Sequence, residues 1–390
     1  LPVQESLAAC PLIIGLKEIP VDVLEQGKTY LFFSHVIKGQ PHNMPMLQRA
    51  LDLGCTIIDY ERIVDDEGRR LIAFGNYAGL AGMIDTLWSL GRRLAWEGLE
   101  TPFSSLRQAS QYADLDEAKE AIRDAGRRIR QQGLPQELVP LVIGVSGYGN
   151  VSKGAQEILD LLPVVPVEPS ALLAQRLPDT AGKAMLKVVF REEHTVLRLD
   201  PTRPFDLQEY HRHPERYAGA FERYLPFLTA LVNCIYWEPR YPRLITSDAA
   251  RRLYASQTPR LRVIGDISCD VQGSIEITVK ATEPDDPVYV INPVTGHVLS
   301  GVEGHGPVIL AVEILPSELP REASAYFSRL LRPLVSILAG TDFGAEYEAL
   351  TLPPALQRAV ICHHGALTPD YRYLSKHLDA AAPHDERSPS

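Results

Sequence analysis

The hydrophobic positions of this chain alternate between short continuous runs and longer stretches with helical spacing. Residues 11–16 and 29–34 are apolar runs bounded by Pro or Gly, which predicts short buried strands. Residues 44–53 and 78–94 repeat their apolar positions at a period near 3.6, which predicts helices. A further strand is predicted at 55–60. Strands that alternate with helices are typical of an α/β fold with a parallel sheet.

The second part of the chain repeats this alternation after a strongly polar segment. Residues 115–132 carry acidic side chains early and arginines late, which suits the helix dipole, with Asp114 as the N-cap and Gly133 as the stop. We predict that this helix connects two domains. Beyond it, buried strands are predicted at 138–143, 164–167, 185–190, 230–235, 262–267 and 307–314, and helices at 152–162 and 318–338.

Length and composition then restrict the class of protein. A chain of 390 residues suggests two domains, and 45% apolar residues are enough for two cores. The net charge of −10, without a long Lys/Arg run, argues against nucleic acid and anionic lipid as partners. No apolar run approaches the roughly 18–20 residues that a membrane span needs. The chain opens at Leu1 within a pattern and without Met, so we expect that an N-terminal piece precedes it.

Cysteine and histidine usage bears on the compartment and on metal binding. The five cysteines are odd in number and form no CxxC, which argues against a disulfide framework and a structural zinc site and predicts a cytoplasmic setting. His211 and His213 form an HxH pair, but no third ligand pattern lies nearby. No metal is therefore predicted.

A glycine-rich turn carries the first chemical signal. Gly144, Gly147 and Gly149 follow a predicted buried strand and precede a predicted helix, where backbone N–H groups and the helix dipole favour a pyrophosphate. Ser152 replaces the third glycine of the usual GxGxxG pattern, and a turn without a ligand is the alternative interpretation. Glu168 follows about 20 residues beyond Gly147, as expected for an acidic residue that binds the ribose hydroxyls and disfavours a 2′-phosphate.

Two titratable residues follow the first two predicted strands. Lys17 and His35 come at the ends of adjacent predicted strands, and strand ends in an α/β domain point toward bound ligands. The alternatives are a surface lysine before a turn and a core histidine bonded to the backbone. Asp266 and Asp270 follow another apolar strand and are candidates for contact with the nicotinamide or the substrate amine, or else cap their own loop. The arginine pair after DDEG is a candidate for binding carboxylates, although such pairs are usually solvated.

Several segments together resemble one family. They are KTYLFFSHVIKGQPHNMPML, IIDYERIVDDEGRRLIAFGNYAGLAGMI, GYGNVSKGAQEIL, HPERY, NCIYWE, GDISCDVQGSIE and GVEGHGP. All look like the lysine–ketoglutarate reductase domain, the N-terminal half of bifunctional aminoadipic semialdehyde synthase, and the likeness covers essentially the whole chain. The wider group includes lysine-forming saccharopine dehydrogenases and, more distantly, alanine dehydrogenase.

The resemblance implies a fold and a domain layout. It implies an α/β protein of two Rossmann-like domains with parallel sheets and an interdomain cleft. The substrate and catalytic domain would comprise residues 1–118, completed by 325–390, and the dinucleotide-binding domain residues 119–324.

The resemblance also implies residue roles. Lys17 and His35 match the catalytic lysine and histidine of the family. The residues implied to bind substrate are Gln40, Glu61, Arg70, Phe74, Asn233 and Asp270. The residues implied to bind the cofactor are Arg69, Gly144, Gly147, Gly149, Asn150, Val151, Glu168, Val232 and Asp266.

The implied reaction condenses L-lysine with 2-oxoglutarate and reduces the imine to saccharopine with NAD(P)H, reversibly. NADP(H) is favoured slightly over NAD(H), because animal members keep an equivalent of Glu168 and use NADPH. Reductive amination of a simple 2-oxo acid, as in alanine dehydrogenase, and a nucleotide-binding regulatory protein without catalysis are the alternatives. The partners expected are these small molecules, with a homo-oligomer left open.

Overall fold

The structure, a computed structural model, describes residues 6–255 and 259–381. Its strands, in chain order, are β1 Leu12–Ile14, β2 Thr29–Phe32, β3 Thr56–Asp59, β4 Val142–Ser146, β5 Val164–Pro166, β6 Met185–Phe190, β7 Val196–Arg198, β8 Tyr217–Gly219, β9 Ala230–Asn233, β10 Val263–Asp266, β11 Val288–Ile291, β12 Val298–Ser300, β13 Val308–Leu310, β14 Val360–His363 and β15 Ala366–Leu367.

The α-helices of the described residues cover the segments between these strands. They are α1 Met44–Asp52, α2 Gly75–Trp96, α3 Leu115–Gln132, α4 Asn150–Leu159, α5 Pro169–Leu173, α6 Glu192–Thr195, α7 Leu207–Arg212, α8 Ser247–Ala255, α9 Pro320–Ala339, α10 Pro354–Gln357 and α11 Ser375–Ala381. The chain divides into two compact units, the first formed by Leu1–Ala73 and Ala325–Ser390 and the second by Phe74–Ser324.

The first unit is built on a sheet with the order β1-β2-β3-β14-β15. Strands β1, β2 and β3 pair in parallel, and β14 returns antiparallel to β3. Its core is formed by apolar side chains from β2, β3, α1 and β14, among them Phe32, Leu47, Ile57 and Ile361. Because successive strands of a parallel layer end at one edge, the residues after β1, β2 and β3 lie at a common edge.

The second unit is built on a sheet with the order β12-β11-β13-β10-β9-β4-β6-β5. The strands from β13 to β5 pair in parallel, and β11 and β12 add an antiparallel edge. Alternate residues of β4 enter opposite cores, since Ile143 and Val145 pack on one face and Val142 on the other. Because both faces of the sheet are covered, these strands appear in the sequence as continuous apolar runs.

Two glycines let helices α2 and α4 of the second unit approach each other at backbone distance. A Cβ at Gly79 would lie 1.9 Å from the Val151 carbonyl oxygen, and a Cβ at Gly154 would lie 2.1 Å from the Asn76 carbonyl oxygen. No side chain fits at either distance. Glycine is therefore required at both positions by the packing of the two helices.

The structure differs from the sequence-based layout in three places. Helix α3 is not a free connector: Ala118, Ile122 and Ile129 are buried in the core of the second unit, and only its other faces are polar. The first strand, predicted as buried, is an edge strand whose Ile14 is exposed. Residues 74–118 belong to the second compact unit, whereas the layout implied by the resemblance put them in the first.

Candidate active site

The common edge of the first unit gathers the predicted acid–base residues. Lys17 follows β1, His35 follows β2, and Asp59 ends β3. The backbone there is held together by the amide of Phe33, which donates to the Leu16 carbonyl at 3.0 Å. The expectation that Lys17 and His35 follow neighbouring strands is met, because β1 and β2 pair directly. Lys17 is exposed and His35 is partly buried.

The ring of His35 is fixed from several sides. Its Nδ1 is hydrogen-bonded to the carboxylate of Glu18, the residue next to Lys17. The His35 backbone adopts a positive φ of 50°, and its carbonyl accepts a hydrogen bond from the Asn43 side-chain amide at 3.2 Å. The Phe33 ring lies nearly parallel to the imidazole, at 16° and 6.2 Å between centroids. With Nδ1 occupied by Glu18, Nε2 is the nitrogen left for a substrate.

The carboxyl group of Glu18 responds to these neighbours. Partial burial would raise the pKa of Glu18, but the hydrogen bond from His35 and the charges of His35 and Lys17 bring that pKa below its ordinary value. Glu18 is therefore ionised near neutral pH and suited to orient the imidazole. The sequence reasoning missed Glu18, although its position beside Lys17 was visible.

Asp59 is a second residue that the sequence reasoning missed. It is fully buried, accepts a hydrogen bond from the Ser34 hydroxyl, and accepts another from the Glu61 backbone amide at 2.8 Å. Burial raises the pKa of Asp59 to about 6, against the opposing effect of these hydrogen bonds. Ser34 directly precedes His35 in the chain. Asp59 therefore links the residue before the histidine to the segment that contains Glu61. The sequence signal was an acidic residue at the end of an otherwise apolar strand.

The paired arginines of the first unit have different surroundings. Arg70 forms an ion pair with Glu61 at 2.7 Å, beside the Asp59 segment. Arg69 is bound within its own turn by Asp65 at 2.7 Å and Glu67 at 3.1 Å, and its side chain is 75% exposed. Arg70 is thus tied to the acidic edge, whereas Arg69 belongs to a surface turn.

Two other residues that the resemblance implies for substrate binding are partly exposed. The backbone carbonyl of Gln40 accepts from Asn43 at 3.0 Å, and the Gln40 side chain is partly exposed. Phe74 is the N-cap residue of α2 and is half-buried. It is the first residue of the second unit.

The glycine-rich turn of the second unit has the geometry of a phosphate-binding loop. Gly147 has a φ of +93°, and its amide donates to the Phe190 carbonyl at 2.8 Å. A Cβ at Gly149 would meet nothing within 4 Å, so open space faces this glycine. Asn150 and Val151 begin α4, where the first amides lack partners within the helix. These residues fit a pyrophosphate.

Gly144 differs from the other glycines of the motif. It lies inside β4, and a Cβ there would lie 2.9 Å from the Phe190 ring. Its role in the structure is to make room for that ring, so the prediction that Gly144 contacts the cofactor has no support in its position. Ser152, which replaces the third glycine, is buried and accepts from Gln156 at 3.0 Å.

A buried polar row crosses the carboxyl ends of β4, β9 and β10. The Ser146 hydroxyl donates to Asn233 at 2.9 Å, and the Asn233 amide donates to Asp266 at 2.8 Å and to Ser274 at 2.8 Å. Asp266 also accepts from Thr278 at 2.6 Å. Burial raises the pKa of Asp266 to about 6 despite these hydrogen bonds.

The buried polar row bears on Val232, Asn233 and Asp266, which the resemblance implies as ligand contacts. The side chains of Asn233 and Asp266 are used within the protein, and Val232 is buried in the core. Their positions at the strand ends are those predicted, but their side chains support the sheet edge. Asp270, on the loop beyond β10, is the exposed acidic group of this region.

Glu168 is placed differently from the sequence-based expectation. It follows β5, and β6 lies between β5 and β4, so the strand leading to Glu168 does not pair with the glycine-rich strand. Glu168 is exposed at the start of the short helix α5.

In the described residues no group of three His, Cys, Asp or Glu side chains is arranged to hold a metal ion.

Comparison with known proteins finds similar sequences in one group of enzymes. Alpha-aminoadipic semialdehyde synthase of Arabidopsis thaliana is 39% identical over 385 residues, which are 96% of this chain and 36% of that protein. The chain is homologous to the aminoadipic semialdehyde synthases. The mitochondrial enzyme of Rattus norvegicus is 37% identical over 387 residues, again 96% of this chain and 42% of the relative. The chain therefore spans about two fifths of the length of these relatives.

More distant relatives are dehydrogenases. Saccharopine dehydrogenase [NAD(+), L-lysine-forming] of Emericella nidulans is 25% identical over 331 residues, which are 82% of this chain and 72% of that protein. Residues 2–81 match the family described as Alanine dehydrogenase/PNT, N-terminal domain. A solved L-alanine dehydrogenase shares the fold, with a TM-score of 0.55, 16% identity, and coverage of 94% of this chain and 81% of that one.

The homologues also bear on the compartment. The rat enzyme is named as mitochondrial, so the cytoplasmic setting that cysteine usage favours stays a prediction. None of the helices in residues 6–255 and 259–381 is long and apolar enough to cross a membrane.

Proposed function

We propose that this chain condenses L-lysine with 2-oxoglutarate and reduces the resulting imine to saccharopine with a reduced nicotinamide nucleotide. The observation that carries the proposal is the homology over 96% of the chain to aminoadipic semialdehyde synthases. The lysine-forming saccharopine dehydrogenases, which match at lower identity, supply the name of the product. The edge formed by Lys17, His35 and their acidic neighbours supplies groups that such a reaction requires.

Lys17 and His35 are proposed as the proton-transfer pair. Condensation removes protons from the substrate amine and delivers one to the departing carbinolamine hydroxyl, and both transfers need a side chain positioned to accept or donate a proton. Lys17 is exposed at the strand edge and serves as the base. His35, held through Nδ1 by Glu18, presents Nε2 and moves the proton to and from the carbinolamine oxygen.

The substrate carboxylates need fixed partners. Arg70 offers a planar, bidentate donor set, and its ion pair with Glu61 holds it at the same edge. Gln40 supplies a neutral hydrogen-bonding group, and Phe74 an apolar surface for the aliphatic chain of lysine. Arg69, already bound by Asp65 and Glu67, would have to leave these partners to contact a nucleotide.

The second unit is proposed to bind the nucleotide. Gly147, Gly149 and the first residues of α4 would hold the pyrophosphate, with Asp270 near the substrate amine. A bound reduced nicotinamide supplies the hydride. NADP(H) is proposed as the preferred form. The cytoplasm is proposed as the compartment, to be checked by fractionation of cells that express the natural protein.

A substrate panel on the purified protein tests the proposal. Loss of reduced-nicotinamide absorbance with L-lysine and 2-oxoglutarate is the expected result. Turnover with pyruvate and ammonia instead would indicate alanine-dehydrogenase-like chemistry. This alternative is tested because the chain shares its fold with a solved L-alanine dehydrogenase. Nucleotide binding without turnover on either pair would indicate a regulatory protein and would contradict the proposal. Each pair is run with NADPH and with NADH.

A further inference from the structure

The strand order of the second unit determines which residue stands beside the glycine-rich turn. In a dinucleotide-binding sheet, the adenosine ribose lies outside the carboxyl end of the strand next to the glycine-rich strand. Here that neighbour of β4 is β6, with Ser146 opposite Phe190. Strand β5 lies one place further out, about 10 Å from β4 at the usual strand spacing of about 4.8 Å. The residue that follows β6 is Arg191, not Glu168.

Two contacts hold the Arg191 segment against the glycine-rich turn. The carbonyl of Phe190, the residue before it, accepts from the Gly147 amide at 2.8 Å. The Arg191 guanidinium lies over the ring of Tyr148, the central residue of the turn, at 5.4 Å from the centroid. Its charge is therefore at the mouth of the loop proposed to bind the pyrophosphate, and the side chain is exposed to solvent.

The backbone of Arg191 is fixed by the short helix that follows. Its amide donates to His194 Nδ1 at 3.0 Å, and its carbonyl accepts from the His194 amide at 2.9 Å. A second guanidinium comes from Arg223, which donates to the His194 carbonyl at 3.4 Å. Burial lowers the pKa of His194, so this ring is a neutral support near neutral pH. Two arginines thus converge on helix α6, beside the turn.

Acidic residues surround the same position and oppose an anion. Glu192 accepts from the Tyr148 hydroxyl at 3.4 Å, and Glu193 and Glu168 are both close enough to influence His194 electrostatically. Within the described residues, Arg191 takes part in no ion pair, so its guanidinium is not neutralised by any one of these carboxylates. A ribose with a free 2′-hydroxyl would be attracted by the acids, and a 2′-phosphate by the arginine.

We infer that Arg191 is the residue that receives the 2′-phosphate of NADP(H) and so determines cofactor selection in this chain. The inference rests on the nucleotide-binding part of the proposed function. It assigns Glu168 the opposite effect, as a carboxylate whose charge disfavours the phosphorylated cofactor. Guanidinium groups bind phosphate through two parallel hydrogen bonds, which a lysine ammonium does not reproduce.

Fluorescence titration with NADPH and with NADH, without any substrate, tests the inference. Arg191→Ala is expected to weaken NADPH binding relative to NADH by at least about tenfold, equivalent to about 1.4 kcal/mol. Arg191→Lys should give an intermediate ratio, and Glu168→Gln should shift the ratio toward NADPH. The matched control is Arg251→Ala, which removes an exposed arginine paired with Asp248 on α8 and should leave the ratio unchanged.

The outcomes are separable from those of the substrate panel. An unchanged NADPH to NADH ratio in Arg191→Ala would overturn the inference, even if the protein reduces the lysine–oxoglutarate imine. Equal weakening of both cofactors would also overturn it, because Arg191 would then only support Tyr148 and the turn. A changed ratio in a protein without turnover supports the inference while the proposed reaction fails.

Discussion

The carboxylate of Glu18 is hydrogen-bonded to Nδ1 of His35 across the ends of two neighbouring parallel strands. Glu18, the residue after the proposed base Lys17, therefore orients the imidazole of His35, the proposed proton shuttle. This contact follows from chain geometry, since β1 and β2 end at the same edge and Glu18 lies one residue beyond Lys17. A substitution of Lys17, Glu18 or His35 is therefore expected to change the environment of the other two residues.

Substitution of the two proposed proton-transfer residues should stop the chemistry while sparing nucleotide binding. Lys17→Met keeps most of the packing volume of the side chain, and His35→Gln keeps a hydrogen-bonding group. General acid–base groups contribute about 10²–10⁴-fold, so each variant should lose turnover with lysine and 2-oxoglutarate to that extent. The measurement is steady-state turnover together with NADPH titration.

The chain offers matched controls for both substitutions. Lys376→Met and His42→Gln change exposed residues of the first unit in the same way and should keep native turnover. If Lys17→Met and His35→Gln behave like these controls, the assignment is wrong. Asp270 would then be the first candidate, since it is the exposed acid beyond β10.

The buried carboxyl group of Asp266 should make stability depend on pH. Its pKa is raised to about 6 in the folded state, against about 3.9 for an unfolded aspartate. Between these values the folded state holds a proton that the unfolded state has released, so the free energy of unfolding falls as pH rises through this window. Over this window the free energy of unfolding falls by about 3 kcal/mol, because each unit of pKa difference corresponds to about 1.36 kcal/mol.

Asp266→Asn removes this titration while its amide can still meet Asn233 and Thr278. The variant should therefore gain stability relative to the native chain as pH rises from about 4 to about 7. Urea unfolding across that range measures the difference. Asp248→Asn, at an exposed aspartate, should give a curve parallel to the native one. A constant difference between Asp266→Asn and the native chain at all pH values would contradict the assigned protonation.

Glycine substitutions should separate packing from ligand binding. Gly79→Ala puts a methyl group 1.9 Å from the Val151 carbonyl oxygen, so it should lower the free energy of unfolding by about 3 kcal/mol or more. Gly149→Ala puts its methyl group in open space at a φ of −73°. It should unfold like the native chain but bind nucleotide more weakly, because the methyl group occupies the space faced by the turn.

These glycine predictions are checked by thermal unfolding and cofactor titration of the same preparations. Native stability in Gly79→Ala would show that α2 and α4 separate at little cost. Native nucleotide affinity in Gly149→Ala would place the pyrophosphate away from the turn.

The sequence predicted those features that depend on local pattern. The long periodic helices 78–94 and 115–132 appear as α2 and α3, and the Asp114 cap accepts from the Glu117 amide at 2.9 Å as expected. Gly133 ends α3 with a φ of +78°. The adjacency of the Lys17 and His35 strands was also predicted, because short parallel units tend to place consecutive strands side by side.

The missed features depend on pairings between distant segments. The insertion of β6 between β4 and β5 cannot be deduced from the apolar run that forms it, and this insertion moves Arg191 into the place expected for Glu168. The polarity of α3 suggested a solvated connector because its small buried residues, Ala118 and Ala125, carry little hydrophobic signal. Asp59 was overlooked because its partners, Ser34 and Glu61, are recognised only once β2 and β3 are paired.

The pairing of β14 with β3 has a consequence for the order in which the molecule is made. Cys362 lies opposite Ile57, and Thr56 bonds His363 at 2.9 Å across 307 positions of the chain. During synthesis, β3 must wait for this partner until the whole second unit has left the ribosome. Domains generally fold as units while the chain is made, so the second unit can be complete first. The pairing of β3 with β14 is then completed last, after folding of the insert has shortened the loop to be closed.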